Sequence, residues 1–186
     1  MTEQQTEQLT KQISEELLLK LQQVRLAVFD VDGVLTDGQL NFLPDGQEIK
    51  SFNTLDGLGI KLLAQAGIET AIITGRRSPQ VEKRAKSLGI NYLYQGREDK
   101  LIALQELWSD TGYSANSTAY IGDDLPDLAA IRAVSFGATV NGGHPFVRQH
   151  ADWSTTRIAG QGAGREFCET ILAAQDKLQQ LYDEFL

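Results

Sequence analysis

Asp30 and Asp32 stand two residues apart in the run Asp30-Val31-Asp32-Gly33-Val34-Leu35-Thr36-Asp37. Before them comes Leu26-Ala27-Val28-Phe29, an apolar segment that reads as a buried parallel strand. Both carboxylates therefore leave a strand at its carboxyl end, and Gly33 lets the chain turn away. In open α/β sheets that edge is where ligands bind. Two acids so placed can share a cation and divide nucleophilic and acid/base work.

Three further loops carry matching chemistry. Thr74-Gly75-Arg76-Arg77 offers a hydroxyl and free backbone N–H groups suited to phosphate oxygens. Lys100 follows Gly96-Arg97-Glu98-Asp99 and supplies an ammonium. Gly122-Asp123-Asp124-Leu125-Pro126-Asp127 follows an apolar run ending at Ile121. Together they equip one cleft for phosphoryl transfer: a nucleophile, a Mg²⁺ clamp and a cation for the charge on phosphorus. A calcium loop of the EF-hand type is excluded, because Val34 stands where a third ligand is needed and Leu35 where glycine belongs. Asp124 and Asp127 read equally well as caps of a short helix and as supports of the metal's waters. His144 and His150 lie far from these loops, and Cys168 falls near an apolar stripe.

The elements that must position the loops alternate. Ile13 to Gln23 reads as a short opening helix and Arg25 to Phe29 as the first strand. Gly38 to Phe42 and Gln47 to Phe52 flank the turn Leu43-Pro44-Asp45-Gly46 and predict a β-hairpin. Leu55, Leu58, Leu62, Leu63 and Ala66 recur at helical spacing up to Gly67. A second strand is predicted over Ile68 to Thr74, then a helix opened by Ser78-Pro79 and closed by Gly89. Asn91 to Tyr94 reads as a third strand, Asp99 to Trp108 as a helix, and Ser117 to Ile121 as a fourth strand. Short elements follow: helix Leu125 to Ala133, strand Val134 to Gly137, helix His144 to His150. The last helix is predicted from Arg165 to Tyr182, burying Phe167, Ile171, Ala174, Leu178 and Leu181. The run Ala159-Gly160-Gln161-Gly162-Ala163-Gly164 reads as mobile backbone. Strands spaced by such helices imply a doubly wound, Rossmann-like parallel sheet with a β-hairpin insertion after the first strand.

A chain of 186 residues is most simply one domain, positions 1–186. Hydrophobic content of 41% and charged content of 23% are ordinary for a globular protein. The net charge of −8 argues against nucleic acid, yet permits an anionic small substrate where a metal and local cations reverse the field. Cys168 is the only cysteine, which excludes an intrachain disulfide. Met1 to Lys20 is polar and acidic, without a signal-peptide core, and no stretch approaches the ~18 apolar residues of a membrane span. A cytoplasmic location without membrane attachment is the resulting expectation.

The order DxDGVxT, then Thr-Gly-Arg, then Lys, then GDDxxD resembles the haloacid dehalogenase superfamily of phosphotransferases, over Asp30 to Asp127. One such motif is weak, but four in order, each at a strand end or helix start, are specific. The resemblance implies that Asp30 attacks phosphorus to form an aspartyl-phosphate. It implies that Asp32 protonates the leaving alcohol, then activates water. Mg²⁺ would be held by Asp30, the Asp32 main-chain carbonyl and Asp123. Thr74 would hold a phosphate oxygen and Lys100 would neutralise Asp30 and the phosphoryl group.

Neither Asp30 to Thr74 nor Thr74 to Lys100 is long enough for a cap domain. The layout is similar to the 3-deoxy-D-manno-octulosonate 8-phosphate phosphatase family, the capless tetrameric branch. The resembling segments are Phe29 to Gly38, the hairpin, Asp56-Gly57-Leu58-Gly59-Ile60, Ile73-Thr74-Gly75-Arg76 and Gly162-Ala163-Gly164-Arg165-Glu166. Ala159 replaces the first glycine of the family's tail motif, and residues 1–20 lie outside the match. This resemblance implies a sugar phosphate substrate whose product feeds lipopolysaccharide synthesis. It implies a homotetramer with shared active sites, in which the hairpin packs against partner chains. Gly75, Arg76, Asp56 and Gly57 would join Thr74 and Lys100 on the substrate. Arg165 would meet its charge from a lid over Gly160 to Arg165. Other readings are a phosphatase of a nine-carbon sugar-acid 9-phosphate, a phosphoacceptor receiver module, and a non-catalytic regulatory domain. Asp32 and the GDDxxD loop argue against the receiver. The intact set Asp30, Asp32, Lys100 and Asp123 argues against lost catalysis.

Overall fold

The structure, a computed structural model, describes residues 13–186, so positions 1–12 of the polar amino terminus lie outside it. Helix α1, Glu15–Gln22, begins where Ser14 Oγ accepts from Leu17 N at 3.3 Å. It leads into strand β1, Leu26–Phe29. A hairpin follows, β2 (Asn41–Phe42) and β3 (Glu48–Ile49), and then helix α2, Thr54–Gln65. Strand β4 is Glu69–Thr74, helix α3 Pro79–Leu88, strand β5 Tyr92–Gln95 and helix α4 Lys100–Thr111. Strand β6 is Thr118–Gly122, helix α5 Leu128–Ala133, strand β7 Phe136–Asn141 and helix α6 Pro145–His150. Strand β8, Trp153–Ile158, precedes helices α7 (Ala163–Ala174) and α8 (Leu178–Asp183).

Six strands form one parallel sheet in the order β5-β4-β1-β6-β7-β8. Counting those strands alone, this is the 3-2-1-4-5-6 order of the Rossmann fold. The order reverses at β1, so a crevice opens beyond the carboxyl ends of β4, β1 and β6. Alternation along β1 serves both faces of the sheet. Ala27 and Phe29 join the layer containing Ile72, Ile121, Phe167 and Ile171. Leu26 and Val28 join the layer containing Ile73, Leu104, Leu107 and Tyr120.

Four local expectations change. The predicted last helix is two helices, because Asp176 turns to φ 55° and Lys177 N closes the end on Leu172 O at 3.0 Å. The apolar stripe continues across this break, since Phe167, Ile171, Ala174, Leu178 and Leu181 are all buried. The fifth strand runs on to Asn141 instead of stopping at Gly137; a Cβ at Gly137 would sit 2.1 Å from Ile131 O, so that glycine marks a close approach. Strand β8 was not predicted: it is a sheet edge whose Arg157 and Ile158 face water, so no clean alternation marks it. The glycine-rich run is tied down instead of mobile, with Gly160 N on Val34 O and Asn53 Nδ2 on Gly160 O, both at 3.0 Å.

Candidate active site

The sheet's last rung places the first acid. Asp30 N donates to Ile121 O at 3.0 Å, just past the end of β1. The loop then curls, and Val34, Leu35 and Thr36 N all donate to Val31 O at 3.2, 2.9 and 3.0 Å. Gly33 makes this possible at φ +92°, and a Cβ there would lie 2.1 Å from Asp123 Oδ2. No other residue lets the β1 and β6 loops come this close.

Lys100 starts α4, whose amino end is capped by Asp99 accepting from Ile102 N at 3.0 Å. Its Nζ lies 2.8 Å from Asp30 Oδ1 and 2.7 Å from Asp127 Oδ1. Asp127 also accepts from Tyr120 Oη at 2.7 Å and from the N–H groups of Asp123 and Asp124 at 3.3 Å. Of the two open readings in this loop, Asp124 is a cap, accepting from Leu125 N at 2.8 Å. Asp127 shares that cap by accepting from Asp124 N, and it is also buried at the centre of the charge cluster.

Burial, and next the charge on Asp127, push the Asp30 carboxyl well above its ordinary range, while Lys100 pulls it back. Burial and then Asp127 push Asp123 up to about 7. Burial acts to lower Lys100, but Asp30 and Asp127 outweigh it, and the ammonium's pKa is raised. Burial and then Asp127 raise Tyr120, which stays a neutral phenol donating to that carboxylate. Three carboxyl groups face one ammonium, and with no further cation the charged forms of Asp30 and Asp123 are disfavoured. Oxygen atoms of Asp30, Asp123 and Asp127 lie within 4.8 Å of one another. All-oxygen donors at that spacing fit a hard divalent cation, whose charge would favour their ionised forms.

A cleft of about 340 Å³ collects these groups. Asp30, Asp32, Thr74, Gly75, Arg76, Lys100 and Asp123 all line it, joined by Gly38, Glu98, Asp124, Pro126 and Asp127. A larger hollow of about 790 Å³ lies at the amino ends of β6 and β7, among residues such as Asn116, Arg132 and Ser135. None of the residues of the charge cluster lines it.

Comparison with known proteins agrees with this geometry. Residues 92–165 match the haloacid dehalogenase-like hydrolase family. The chain is 41% identical over 168 residues to 3-deoxy-D-manno-octulosonate 8-phosphate phosphatase of Escherichia coli K12, covering 90% of this chain and 89% of that protein. The chain belongs to this phosphatase family. The Moraxella catarrhalis phosphatase, solved with magnesium, phosphate and 3-deoxy-D-manno-octulosonate, superposes with a TM-score of 0.90 at 46% identity, over 92% of this chain and 98% of that one. The cobalt-bound Haemophilus influenzae phosphatase gives a TM-score of 0.84 at 40% identity, over 88% and 98%.

The remaining predicted residues of this phosphatase separate into two groups. Thr74 is buried at the end of β4, and Arg76, 44% exposed, pairs with Glu48 of the hairpin at 3.2 Å. Asp56, Gly57 and Arg165 do not line the cleft of their own chain. Asp56 Oδ1 accepts from Arg165 N at 2.8 Å, satisfying a free donor in the first turn of α7. Gly57 lies under Arg84, whose Nη2 would be 2.3 Å from a Cβ there. The Arg165 guanidinium pairs with Glu169 and lies 5.8 Å from the centre of the Tyr182 ring. These three join α2, α3 and α7, and within its own chain the Arg165 side chain meets Glu169 and Tyr182. Asp32 adds no side-chain oxygen to the Asp30, Asp123 and Asp127 cluster; its carboxylate pairs with Lys50. Lys50, Glu48 and Tyr120 are site neighbours absent from the sequence expectations, whereas Asp127 was there as a support of the metal's waters. No sequence signal marks Tyr120, Glu48 or Lys50.

Proposed function

We propose that the chain hydrolyses 3-deoxy-D-manno-octulosonate 8-phosphate to the free sugar acid and phosphate, in lipopolysaccharide biosynthesis. The observation that carries this is the buried Asp30–Lys100–Asp127 cluster beside Asp123, in a chain of this family. Asp30 attacks phosphorus, and Lys100 at 2.8 Å counters the charge on it and on the phosphoryl oxygens. Asp32 gives a proton to the departing sugar oxygen, then takes one from the water that opens the aspartyl-phosphate. Thr74 and the Gly75 and Arg76 segment hold phosphate and sugar. Asp30, Asp123 and the Asp32 main-chain carbonyl would hold Mg²⁺, with Asp127 beside them, and the bound ion would draw charge from the phosphoryl oxygens.

The test is a phosphate-release screen over sugar phosphates, with and without Mg²⁺. The eight-carbon sugar-acid 8-phosphate is expected to exceed p-nitrophenyl phosphate in kcat/KM by ~10²-fold or more, because polar contacts to the sugar must be satisfied. Equal efficiencies would remove the sugar assignment. A nine-carbon sugar-acid 9-phosphate belongs in the same screen.

The proposal extends to one capless catalytic domain working as a cytoplasmic homotetramer with sites enclosed by neighbouring chains. No helix among the described residues is long and apolar enough to cross a membrane. The interval from β1 to β4 holds the hairpin and α2, and that from β4 to β5 holds α3. The hairpin presents Leu40, Phe42, Leu43 and Ile49 to water, with Phe42 57% exposed, an apolar patch suited to a second copy. Sedimentation at assay concentration is expected to give a tetramer; a fully active monomer would dismiss shared sites.

A further inference from the structure

The hairpin has a ladder of only two residue pairs, Asn41 with Ile49 and Phe42 with Glu48. Such a ladder does not hold itself in water. What holds its second strand against the cleft is charge. Side chains alternate along β3 and its continuation. Ile49 points outward, 46% exposed, whereas the Lys50 side chain is 1% exposed. Lys50 Nζ pairs with Asp32 Oδ1 and lies 3.4 Å from Glu48 Oε1. The same Glu48 oxygen lies 3.2 Å from Arg76 Nη2, and Gln80 Nε2 donates to the Glu48 carbonyl. A buried ammonium is stable only when paired in this way. Asp32, Lys50, Glu48 and Arg76 thus form one line of charge from the acid/base to the cleft rim.

We propose that Lys50 is a positioning residue for Asp32: it fixes the carboxylate that exchanges protons with the alcohol, and Glu48 fixes Lys50. Lys50 does not line the cleft, so it acts through Asp32 and not on the substrate. The inference rests on the functional reading of Asp32 given above. In that step the Asp32 proton moves to the ester oxygen as the phosphorus–oxygen bond breaks, and Asp30 takes the phosphoryl group. An alkyl ester needs this proton. A nitrophenyl ester does not, because nitrophenolate leaves unaided.

That difference supplies the test. Lys50→Met, confirmed folded by a cooperative thermal transition, is compared with wild type by rapid quench in the alcohol-releasing first turnover. Release from the sugar phosphate is expected to slow ~10²-fold, and nitrophenol release to stay within ~3-fold. Lys50→Arg keeps the cation and should recover most of the loss. In an Asp32→Asn background, Lys50→Met should slow release from the sugar phosphate less than ~2-fold further, because the two act as a unit. Equal losses on both esters would mean that Lys50 only docks the hairpin, and an unchanged alkyl rate would mean that it does nothing; either overturns the proposal. If Lys50→Met does not fold, Lys50→Arg and Glu48→Gln decide by the same ester comparison. If wild-type protein ignores the sugar-acid phosphate, the functional reading fails, while phenethyl phosphate, another alkyl ester, still tests Lys50.

Discussion

Asp30→Asn is expected to abolish phosphate release while leaving a folded protein that still binds its substrate. Only a carboxylate at this position can attack phosphorus, and no other acid of the cleft lies just past the end of β1 in contact with Lys100 at 2.8 Å. The expected loss is on the order of 10⁴-fold or more, the scale seen when a nucleophile is removed from a working set. Stability should not fall with it. Burial raises the Asp30 pKa in the folded protein, so folding favours its protonated form, and that contribution, present below the unfolded pKa, is lost as pH rises through the folded value. At neutral pH a neutral amide of the same shape gives up none of that, and Lys100 keeps Asp127 at 2.7 Å. Thermal unfolding should show a Tm equal to or above wild type. Near-normal turnover in the variant would take the nucleophile role away from Asp30.

The parts legible in the sequence share one property: their signal is local. The runs ending at Phe29, Thr74 and Ile121 are apolar and short, so each marks a buried parallel strand, and each motif begins at or within one residue of a strand's carboxyl end. That is why Asp30, Thr74, Gly75 and Asp123 could be assigned to one edge before any coordinates. What stayed hidden depends on pairs far apart in the chain. Lys50 carries no sequence signal of its own within the hairpin, and only docking of that hairpin brings it to Asp32, 18 positions earlier. Asp56, expected on the substrate, finds its partner in the Arg165 amide, 109 positions later. The break at Asp176 escaped for the opposite reason: the apolar stripe continues through it, and periodicity alone does not see a single reversed φ.

Chelation of divalent metal is expected to abolish turnover, Mg²⁺ to restore it, and Ca²⁺ to restore it poorly, because Ca²⁺ takes more oxygen ligands at looser geometry. Asp123→Ala should raise the Mg²⁺ requirement or eliminate activity. The titration of Asp123 adds a signature that does not depend on turnover. Burial and then Asp127 carry its pKa from 3.8 to about 7 in the folded chain. A carboxyl raised in this way contributes stability below its unfolded pKa, and that contribution is lost as pH rises through the folded value. The metal-free protein should therefore weaken between about pH 4 and about pH 7 as Asp123 comes to carry charge beside Asp127. A cation binding below about pH 7 must displace a proton, so its apparent affinity should fall by up to ~10-fold per pH unit as pH drops. The rise in Tm on adding Mg²⁺ should accordingly be larger at about pH 8 than at about pH 5.5, and Asp123→Ala should remove most of the difference. A Tm rise of the same size at both pH values would show that Asp123 is not displacing its proton for the metal. Full activity after exhaustive chelation would contradict metal-assisted phosphoryl transfer in this cleft altogether.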